Sequence, residues 1–334
     1  MIEVNNLVKR YGDHTAVDHL SFKIEKGKIY GFLGPNGAGK STTMNMITGY
    51  IASTEGTVTI DGHDILEEPE QAKKCIGYLP EIPPLYFDMT VLEYMNFAAD
   101  LKKIPKDQKK SMVEEVMEML KITDMKNRLI KNLSKGYRQR VGLAQAVLGF
   151  PKIIILDEPS VGLDPKQIIE IRELIRQLAK KHTVILSSHI LAEVREVCDY
   201  ILIISKGKLV ASDTPENLER NLGDSDLIEI ETKASPDEVR RILETVDGIR
   251  SISTKYLENG ITWAQIQEKK NTDIREKVFQ AFAQNHQPLL KLNPLQVSLE
   301  DVFMELTQSD RAAEEYAEKA KKKETEDMKD AGDL

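Results

Sequence analysis

Apolar residues in the first two thirds of the chain form short continuous runs, and several of the segments between these runs carry apolar residues at helical spacing. Runs such as Ile153–Leu156 and Tyr200–Ile204 have the length of buried strands. Continuous apolar strands separated by helices predict an α/β fold with a parallel sheet covered on both faces. The predicted strands also include Ile2–Val8, Leu20–Ile24, Lys28–Leu33, Gly56–Ile60, Cys75–Leu79 and Thr183–Ser187, and the predicted helices are Thr90–Lys103, Lys109–Leu120 and one that begins near Gly39.

The order of elements changes after residue 226. The polar segment Asn221–Asp226 predicts a linker, and the pattern beyond it is β-α-β-β-α-β, which is the ferredoxin-like arrangement. Ser235 and Glu238 form a predicted capping box. Trp263 lies on the third strand of this region, and we predict that it packs in the core. The predicted elements are strands Leu227–Glu231, Ile249–Tyr256, Ile261–Gln267 and Pro288–Leu292, helices Pro236–Val246 and Thr272–Asn285, and a short last helix from Ser298, with Asp301 three residues on.

We therefore predict three regions. A large α/β domain covers residues 1–222, and a small α+β ferredoxin-like accessory domain covers 227–306. Residues 309–334 are mostly Lys, Glu, Asp and Ala. Such a segment buries too little apolar surface to pack, so it is expected to form a solvated helix or a disordered tail.

The composition narrows the class of protein. Of the 334 residues, 41% are hydrophobic and 30% are charged, which is the balance of a globular protein. The formal net charge of −8 argues against nucleic-acid binding, which usually requires a basic excess or a basic stripe.

Two further features concern the compartment. The N-terminus lacks the apolar core of a secretory signal, and no stretch approaches the ~18 apolar residues of a membrane span. The two cysteines, Cys75 and Cys198, have neither metal-ligand nor CxxC spacing, so we expect reduced thiols in a cytosolic protein. If the protein works at a membrane, another chain has to supply the spans.

A phosphate-binding motif follows the predicted strand Lys28–Leu33. Residues 34–41 match G-x-x-x-x-G-K-[ST] between a strand and a helix, so glycines allow a tight bend whose N–H groups point at phosphate oxygens. Lys40 is expected to reach the β- and γ-phosphates, and the Ser41 hydroxyl to bind Mg²⁺. By itself the motif indicates a kinase, a GTPase or an ATPase. The predicted nucleotide-binding residues of this loop are Gly34, Pro35, Asn36, Gly37, Ala38, Gly39, Lys40, Ser41 and Thr42.

An acidic pair ends the apolar strand Ile153–Leu156. Parallel strands deliver their carboxyl ends to the ligand crevice, so Asp157 and Glu158 are expected there rather than at a solvated strand end. Asp157 is predicted to hold Mg²⁺, directly or through water. Glu158 is predicted to act as the general base on the attacking water.

Several short motifs in this order resemble one family, the nucleotide-binding domains of ABC (ATP-binding cassette) proteins, and the resemblance covers about residues 1–220. Leu133-Ser-Lys-Gly-Tyr137, about twenty residues before the acidic strand, looks like the family signature. Gly162-Leu-Asp164 looks like the loop that follows that strand. His189 resembles the family's switch histidine, and Tyr11 stands where the family places an aromatic residue that stacks on adenine.

The resemblance implies a RecA-like core with an antiparallel β subdomain and an α-helical subdomain at about residues 88–150. It implies that Ser134 and Gly136 grip the nucleotide bound by a second copy, so that two ATP molecules lie between two cassettes. Asp164 would then link the two sites, and His189 would contact the γ-phosphate and orient the water.

The chain departs from the commonest family pattern in two places. The usual LSGGQ reads LSKGY here, but the phosphate-facing Ser134 and Gly136 remain, so we expect activity. Glu81 stands where the family usually has a metal-sensing Gln; it keeps the ability to accept from metal-bound water and adds a negative charge. Both departures, and the ending Ser298–Leu306, look like a branch of exporter ATPases that pair with a separate permease.

The function implied by the resemblance is that of an ATPase subunit, which uses ATP and Mg²⁺ as part of a cassette dimer that is expected to consist of two identical chains. The subunit would be held on the cytoplasmic side of the cell membrane by a transmembrane permease. One alternative is a soluble ABC ATPase without a permease, but translation-factor types carry two cassettes, repair types a long coiled coil, and iron–sulfur types lack the C-terminal domain. Another alternative is a regulatory cassette without catalytic activity. The chain argues against it by retaining Lys40, Glu158 and His189.

The segment Ile82–Phe87 is unusually apolar for a loop. We hypothesise that it forms a docking surface for a helix of the membrane partner, and the alternative, that these residues pack inside, is left equally open. For the C-terminal domain we favour a role in dimerisation or regulation, because ferredoxin-like folds host many functions.

Overall fold

A computed structural model describes residues 1–222, 227–257, 260–269, 273–295 and 298–308. The chain divides into two compact units, Met1–Pro215 together with the chain from Phe303, and Glu216–Val302. Among the described residues, no helix combines the length and the apolar character needed to cross a membrane. The predicted linker residues 223–226 and the predicted tail 309–334 lie outside the described residues, and the predicted boundary at 222 stays a prediction.

The first unit contains ten strands and most of the helices that the structure describes. Its strands are β1 (Ile2–Tyr11), β2 (His14–Ile24), β3 (Ile29–Leu33), β4 (Glu55–Ile60), β5 (His63–Asp64), β6 (Ile76–Leu79), β7 (Ile153–Asp157), β8 (Thr183–Ser187), β9 (Tyr200–Ser205) and β10 (Lys208–Asp213). Its helices are α1 (Lys40–Ile47), α2 (Pro69–Lys74), α3 (Val91–Leu101), α4 (Lys106–Met119), α5 (Lys135–Val147), α6 (Pro165–Ala179) and α7 (Leu191–Val197). The next helix, α8 (Pro215–Leu222), begins at the boundary between the two units.

The central sheet has the strand order β10-β9-β3-β8-β7-β6. All its neighbours pair in parallel except β10, which pairs antiparallel with β9 at one edge. Every residue of β3, β7 and β8 is buried, as the continuous apolar runs predicted. Since parallel strands end on the same side, the loops after these three strands meet at one edge of the sheet.

A second sheet of the first unit is antiparallel, with the order β2-β1-β4-β5. Most of its buried apolar residues belong to one core, which includes Leu7 and Leu20 and also takes in Phe32 of β3 and Met44 of α1. The helices α3, α4 and α5 lie between β6 and β7 in the chain, where the helical subdomain was predicted. Thr90 caps α3 in a capping box with Glu93. The α/β fold with its antiparallel and helical parts is thus confirmed.

The second unit contains β11 (Leu227–Thr232), α9 (Pro236–Leu243), β12 (Ile249–Tyr256), β13 (Thr262–Glu268), α10 (Arg275–Gln284) and β14 (Leu289–Leu295). The sheet order is β12-β13-β11-β14 with antiparallel neighbours throughout, so the ferredoxin-like element order is confirmed. The predicted capping box of Ser235 and Glu238 is present. A last helix, α11 (Leu299–Gln308), starts after Ser298, whose hydroxyl accepts from the Asp301 N–H at 3.2 Å.

The prediction that Trp263 packs in the core is wrong. Buried and half-buried residues alternate along β13, and Ala264 and Ile266 occupy the buried face against α9 and α10. Trp263 therefore points to the opposite face, where it is half-buried and its indole N–H donates to Glu229 Oε1 at 2.6 Å. A strand with period-two burial places its residues on two faces, and the apolar character of Trp263 does not reveal which face it takes.

The face assignment of β13 predicts a contrast in stability. Ile266→Ala should lower the free energy of unfolding of the second unit by about 3 kcal/mol, because it leaves a cavity beside fully buried neighbours. Gln265→Ala, on the other face, should change it by less than about 0.5 kcal/mol. Urea unfolding followed by tryptophan fluorescence measures this directly, since Trp263 is the single tryptophan of the chain. Equal effects of the two substitutions would contradict the assignment.

Candidate functional site

The phosphate-binding loop lies between β3 and α1, and two of its glycines are required by close backbone contacts. A Cβ on Gly34 would lie 2.4 Å from the Ile204 carbonyl oxygen. Gly39 has φ of 101° at the N-terminus of α1, and a Cβ there would lie 2.5 Å from the Ala16 carbonyl oxygen. The loop thus folds as the motif predicted, with the N-terminus of α1 at its end.

Lys40 is 8% exposed and folds back onto its own loop. Its Nζ donates to the carbonyl oxygens of Gly34 at 2.6 Å and of Pro35 at 3.2 Å. Burial lowers the pKa of Lys40, and the nearby charges of Glu158 and Asp157 oppose this effect. The structure therefore holds a desolvated cation between the loop and two carboxyl groups.

Asp157 and Glu158 lie at the carboxyl end of β7. Burial raises the pKa of Asp157, and the charge of Glu81 adds to the effect. Burial also raises the pKa of Glu158, while hydrogen bonding to His189 opposes the rise. His189 Nδ1 lies 2.7 Å from Glu158 Oε2, so the structure joins the predicted base and the predicted switch histidine, which are 31 positions apart.

An open cleft of about 520 Å³ runs along this edge of the sheet. Glu81 lines it, as predicted from its position after β6. Asp157 is buried and does not line it; neither do Gly34, Pro35 and Ala38 of the loop. The cleft is lined by the predicted residues Tyr11, Asn36, Gly37, Gly39, Lys40, Ser41, Thr42, Glu81, Glu158 and His189, and also by His14, Ala16 and Val161.

His14 is the titratable residue among the three lining residues that sequence reasoning missed. A two-residue turn joins β1 to β2 and pairs Tyr11 with His14, so both side chains are presented at the same end of the antiparallel sheet. Tyr11 is 52% exposed, and Lys9 Nζ lies 5.2 Å from the centre of its ring. The short turn between β1 and β2 was the sequence signal that could have revealed His14. In a hairpin, the residue directly opposite Tyr11 shares its surroundings.

Ser134, Gly136 and Asp164 do not line the cleft and form a second cluster. Ser134 caps α5 by accepting from the Tyr137 N–H at 3.4 Å, which leaves its own O–H available as a donor. Asp164 caps α6 by accepting from the Gln167 N–H at 2.9 Å. A Cβ on Gly136 would lie 2.8 Å from the side chain of Gln167, so the two helix N-termini are close together.

The residues predicted to hold Mg²⁺ offer oxygen atoms only. A hydroxyl (Ser41) and carboxylates (Asp157, Glu81) are donors that this hard cation prefers, and it usually keeps several waters, so few protein ligands are needed. Ser41 and Glu81 both face the cleft, while Asp157 lies beneath it and its charge acts on Lys40. The donor set fits the ion.

The fold and the cleft together define a P-loop nucleotide-binding protein, and sequence comparison identifies the family. A family model described as ABC transporter matches residues 17–161. The chain is 36% identical to the ABC transporter ATP-binding protein YhcH of Bacillus subtilis over 92% of this chain and 96% of that protein. It is 33% identical to the bacitracin transport ATP-binding protein BcrA of Bacillus licheniformis over 92% and 97%. The chain belongs to the ATP-binding proteins of ABC transporters.

Solved structures agree with this assignment. The ATP-binding subunit of an ABC transporter superposes with a TM-score of 0.61 at 29% identity, covering 67% of this chain and 93% of that chain. A dimeric cassette in a post-hydrolysis state, bound to ADP and Pi, gives a TM-score of 0.58 at 25% identity and covers 64% and 98%. The protein binds ATP and is an ABC-type ATP hydrolase.

The close contact at Gly39 predicts a specific loss of binding. Gly39→Ala should weaken ATP binding at least about tenfold, because the added Cβ meets the Ala16 carbonyl at a strained backbone position. Gly62→Ala is the matched control, since Gly62 has φ of 96° but nothing within 4 Å of its Cβ position. Titration with a fluorescent ATP analogue measures both. Equal ATP affinities of Gly39→Ala and Gly62→Ala would contradict the requirement for glycine at position 39.

Proposed function

We propose that this chain is the ATPase subunit of an ABC exporter and that it drives a separate transmembrane permease from the cytoplasmic side of the membrane. Relatives named for bacitracin transport and linearmycin resistance support this, at 33% and 31% identity over 92% of the chain. Their alignments span 308 residues each and so extend beyond residues 1–222. A lantibiotic transport ATP-binding protein of Streptococcus pyogenes is 35% identical over 233 residues.

The observation that carries the proposal is the separation of two clusters within one chain. The cleft holds Lys40, Glu158 and His189, whereas Ser134 and Asp164 lie at two helix N-termini outside it. Helix N-termini with free N–H groups suit phosphate oxygens. In our proposal the cluster of one copy closes over the ATP in the cleft of a second, identical copy.

The proposed chemistry assigns one task to each residue of the cleft. Lys40 leaves its two carbonyl partners and contacts the β- and γ-phosphates. Glu158 accepts the proton of the attacking water, and His189 holds that carboxylate in place and contacts the γ-phosphate. Tyr11 stacks on the adenine. When bound, Mg²⁺ supplies charge stabilisation of the phosphates, held by Ser41 and by Asp157 and Glu81 directly or through water.

The docking hypothesis gains a structural basis in the segment Ile82–Phe87. Ile82 is 83% exposed and Tyr86 is 55% exposed, whereas Leu85 is buried. Each of the two hypotheses for this segment therefore applies to part of it. Leu85 packs inside, whereas Ile82 and Tyr86 form an apolar surface suited to a helix of the permease.

The same segment contacts α5, at whose N-terminus the signature lies, and the neighbouring helix α3. A Cβ on Gly142 of α5 would lie 2.8 Å from Pro83, and the Tyr94 hydroxyl of α3 lies 3.2 Å from the Pro84 carbonyl oxygen. Ser134 caps the same α5. In our proposal this chain of contacts links Glu81 in the cleft, the docking segment and the signature helix, so closure of the dimer moves the permease.

We also propose that residues 227–306 act as an accessory domain in dimerisation or regulation. The span of the alignments with YhcH, BcrA and LnrL supports a shared second unit in these relatives.

Coupling can be tested at Ile82. In proteoliposomes that contain the chain and its permease, Ile82→Asp should reduce transport at least about tenfold, because a charge is placed in an apolar contact. The basal ATPase rate of the isolated chain should stay within about twofold, since Ile82 is 83% exposed and does not line the cleft.

Leu66→Asp is the matched control, as Leu66 is a 49% exposed apolar residue beside the short strand β5. It should leave both transport and hydrolysis near the wild-type values. Loss of basal hydrolysis in Ile82→Asp, or transport that survives the substitution, would count against the docking segment.

A further inference from the structure

A buried hydrogen bond lies directly behind the catalytic edge of the sheet. The Ser160 hydroxyl donates to Glu193 Oε2 at 2.5 Å, and the two residues are 4% and 3% exposed. Neither residue lines the cleft, and neither has a task in the chemistry described above. A buried carboxyl group is costly to keep in a fold, so its presence at this place calls for a physical reason.

The bond connects the loop after β7 to helix α7, which follows the loop after β8. β7 and β8 are parallel neighbours in which Asp157 pairs with Ser187, so the loops that follow them leave from the same edge. Glu158 in the first loop contacts His189 in the second. Two residues after Glu158 and four after His189, Ser160 contacts Glu193. The Glu158 N–H also donates to the Ser187 carbonyl oxygen at 3.0 Å, so the two segments are joined next to the strand ends. The Ser160–Glu193 bond extends this connection further into the first loop and onto α7.

The first loop needs this support because its backbone is strained. Glu158 has φ of 49°, in the left-handed region that non-glycine residues rarely adopt. Such a conformation persists only where the surroundings enforce it. Ser160 lies in the middle of the loop, with the Val161 N–H donating to Glu158 O at 3.2 Å and the Leu163 N–H to Ser160 O at 3.1 Å. An anchor at Ser160 therefore holds the turn that sets the direction of Glu158.

Packing of α7 alone does not require Glu193. Helix α7 is already fastened to α6 by Glu196, which pairs with Arg172 and whose carbonyl oxygen accepts from Arg176 at 2.6 Å. Glu193 Oε1 is buried without a hydrogen-bond partner among the described residues. An apolar side chain would fill this place without an unpaired oxygen, so the value of Glu193 lies in the bond to Ser160.

We propose that Ser160 and Glu193 are positioning residues for ATP hydrolysis: their buried bond holds Glu158 and His189 in the geometry that activates the attacking water. The inference rests on hydrolysis at Glu158 and not on coupling to a permease. Neither residue touches nucleotide, so the pair is expected to act on the rate of the chemical step and not on ATP binding.

The test is the ATPase kinetics of the full-length chain without a permease, for Ser160→Ala, Glu193→Ala, Glu193→Gln and the double alanine variant. The alanine variants should lower kcat about 10- to 100-fold, the effect of removing a hydrogen bond to a carboxylate, with KM for ATP within about threefold. The double variant should lose no more than either single one, because both remove the same bond. Glu193→Gln keeps an acceptor oxygen and should recover most of kcat.

Glu196→Gln is the matched control on the same helix, since it loses an ion pair of α7 but leaves Ser160 untouched; its kcat should stay within about twofold. Ser160→Ala decides the question if Glu193→Ala does not fold, because it removes a single oxygen atom. A wild-type kcat in Ser160→Ala, additive losses in the double variant, or an equal loss in Glu196→Gln would overturn the proposal. Each of these results would leave the coupling proposal untouched, because no permease is present.

Discussion

The parallel pairing of β3, β8 and β7 is the constraint on which the site depends. It brings the phosphate-binding loop, the acidic end of β7 and the loop with His189 to one edge, although the first of these lies more than a hundred residues before the other two in the chain. The register pairs Asp157 with Ser187. A slip of one residue would turn Glu158 away from His189, because side chains alternate between faces along a strand. Side chains on both faces of the three strands are closely packed, so a slip would disrupt this packing, and the contacts of the site follow from the register.

Burial at this edge also sets the electrostatics. Lys40, Asp157 and Glu158 are all desolvated, so the charged form of each is disfavoured. The two carboxylates partly offset this effect for Lys40, and Lys40 partly offsets it for each of them. Groups held in this way are preorganised, and an incoming nucleotide meets donors and acceptors that need little rearrangement. The strained backbone of Glu158 belongs to the same arrangement, because the contacts to His189 and through Ser160 hold it from two sides.

The sequence predicted the cassette fold, the ferredoxin-like element order and the loop around Lys40 well, since these depend on local spacing and on continuous apolar runs. Contacts between distant segments were less accessible. The Glu158–His189 bond needed the strand order, and the Ser160–Glu193 bond gave no signal, because a buried serine and glutamate look like ordinary loop and helix residues. His14 was missed because its role depends on a hairpin pairing. Trp263 was placed on the wrong face, and Ile82–Phe87 divided between surface and core, because hydrophobicity alone does not reveal which face a residue takes.

The composite site formed by two copies is the central claim, and size-exclusion chromatography with light scattering of Glu158→Gln tests it most directly. With hydrolysis blocked, ATP and Mg²⁺ should convert this variant from monomer to dimer. The added substitution Ser134→Glu should prevent dimerisation, because it would place a carboxylate next to the negatively charged γ-phosphate across the interface. A Glu158→Gln chain that binds ATP but stays monomeric, or a dimer that survives Ser134→Glu, would contradict the account.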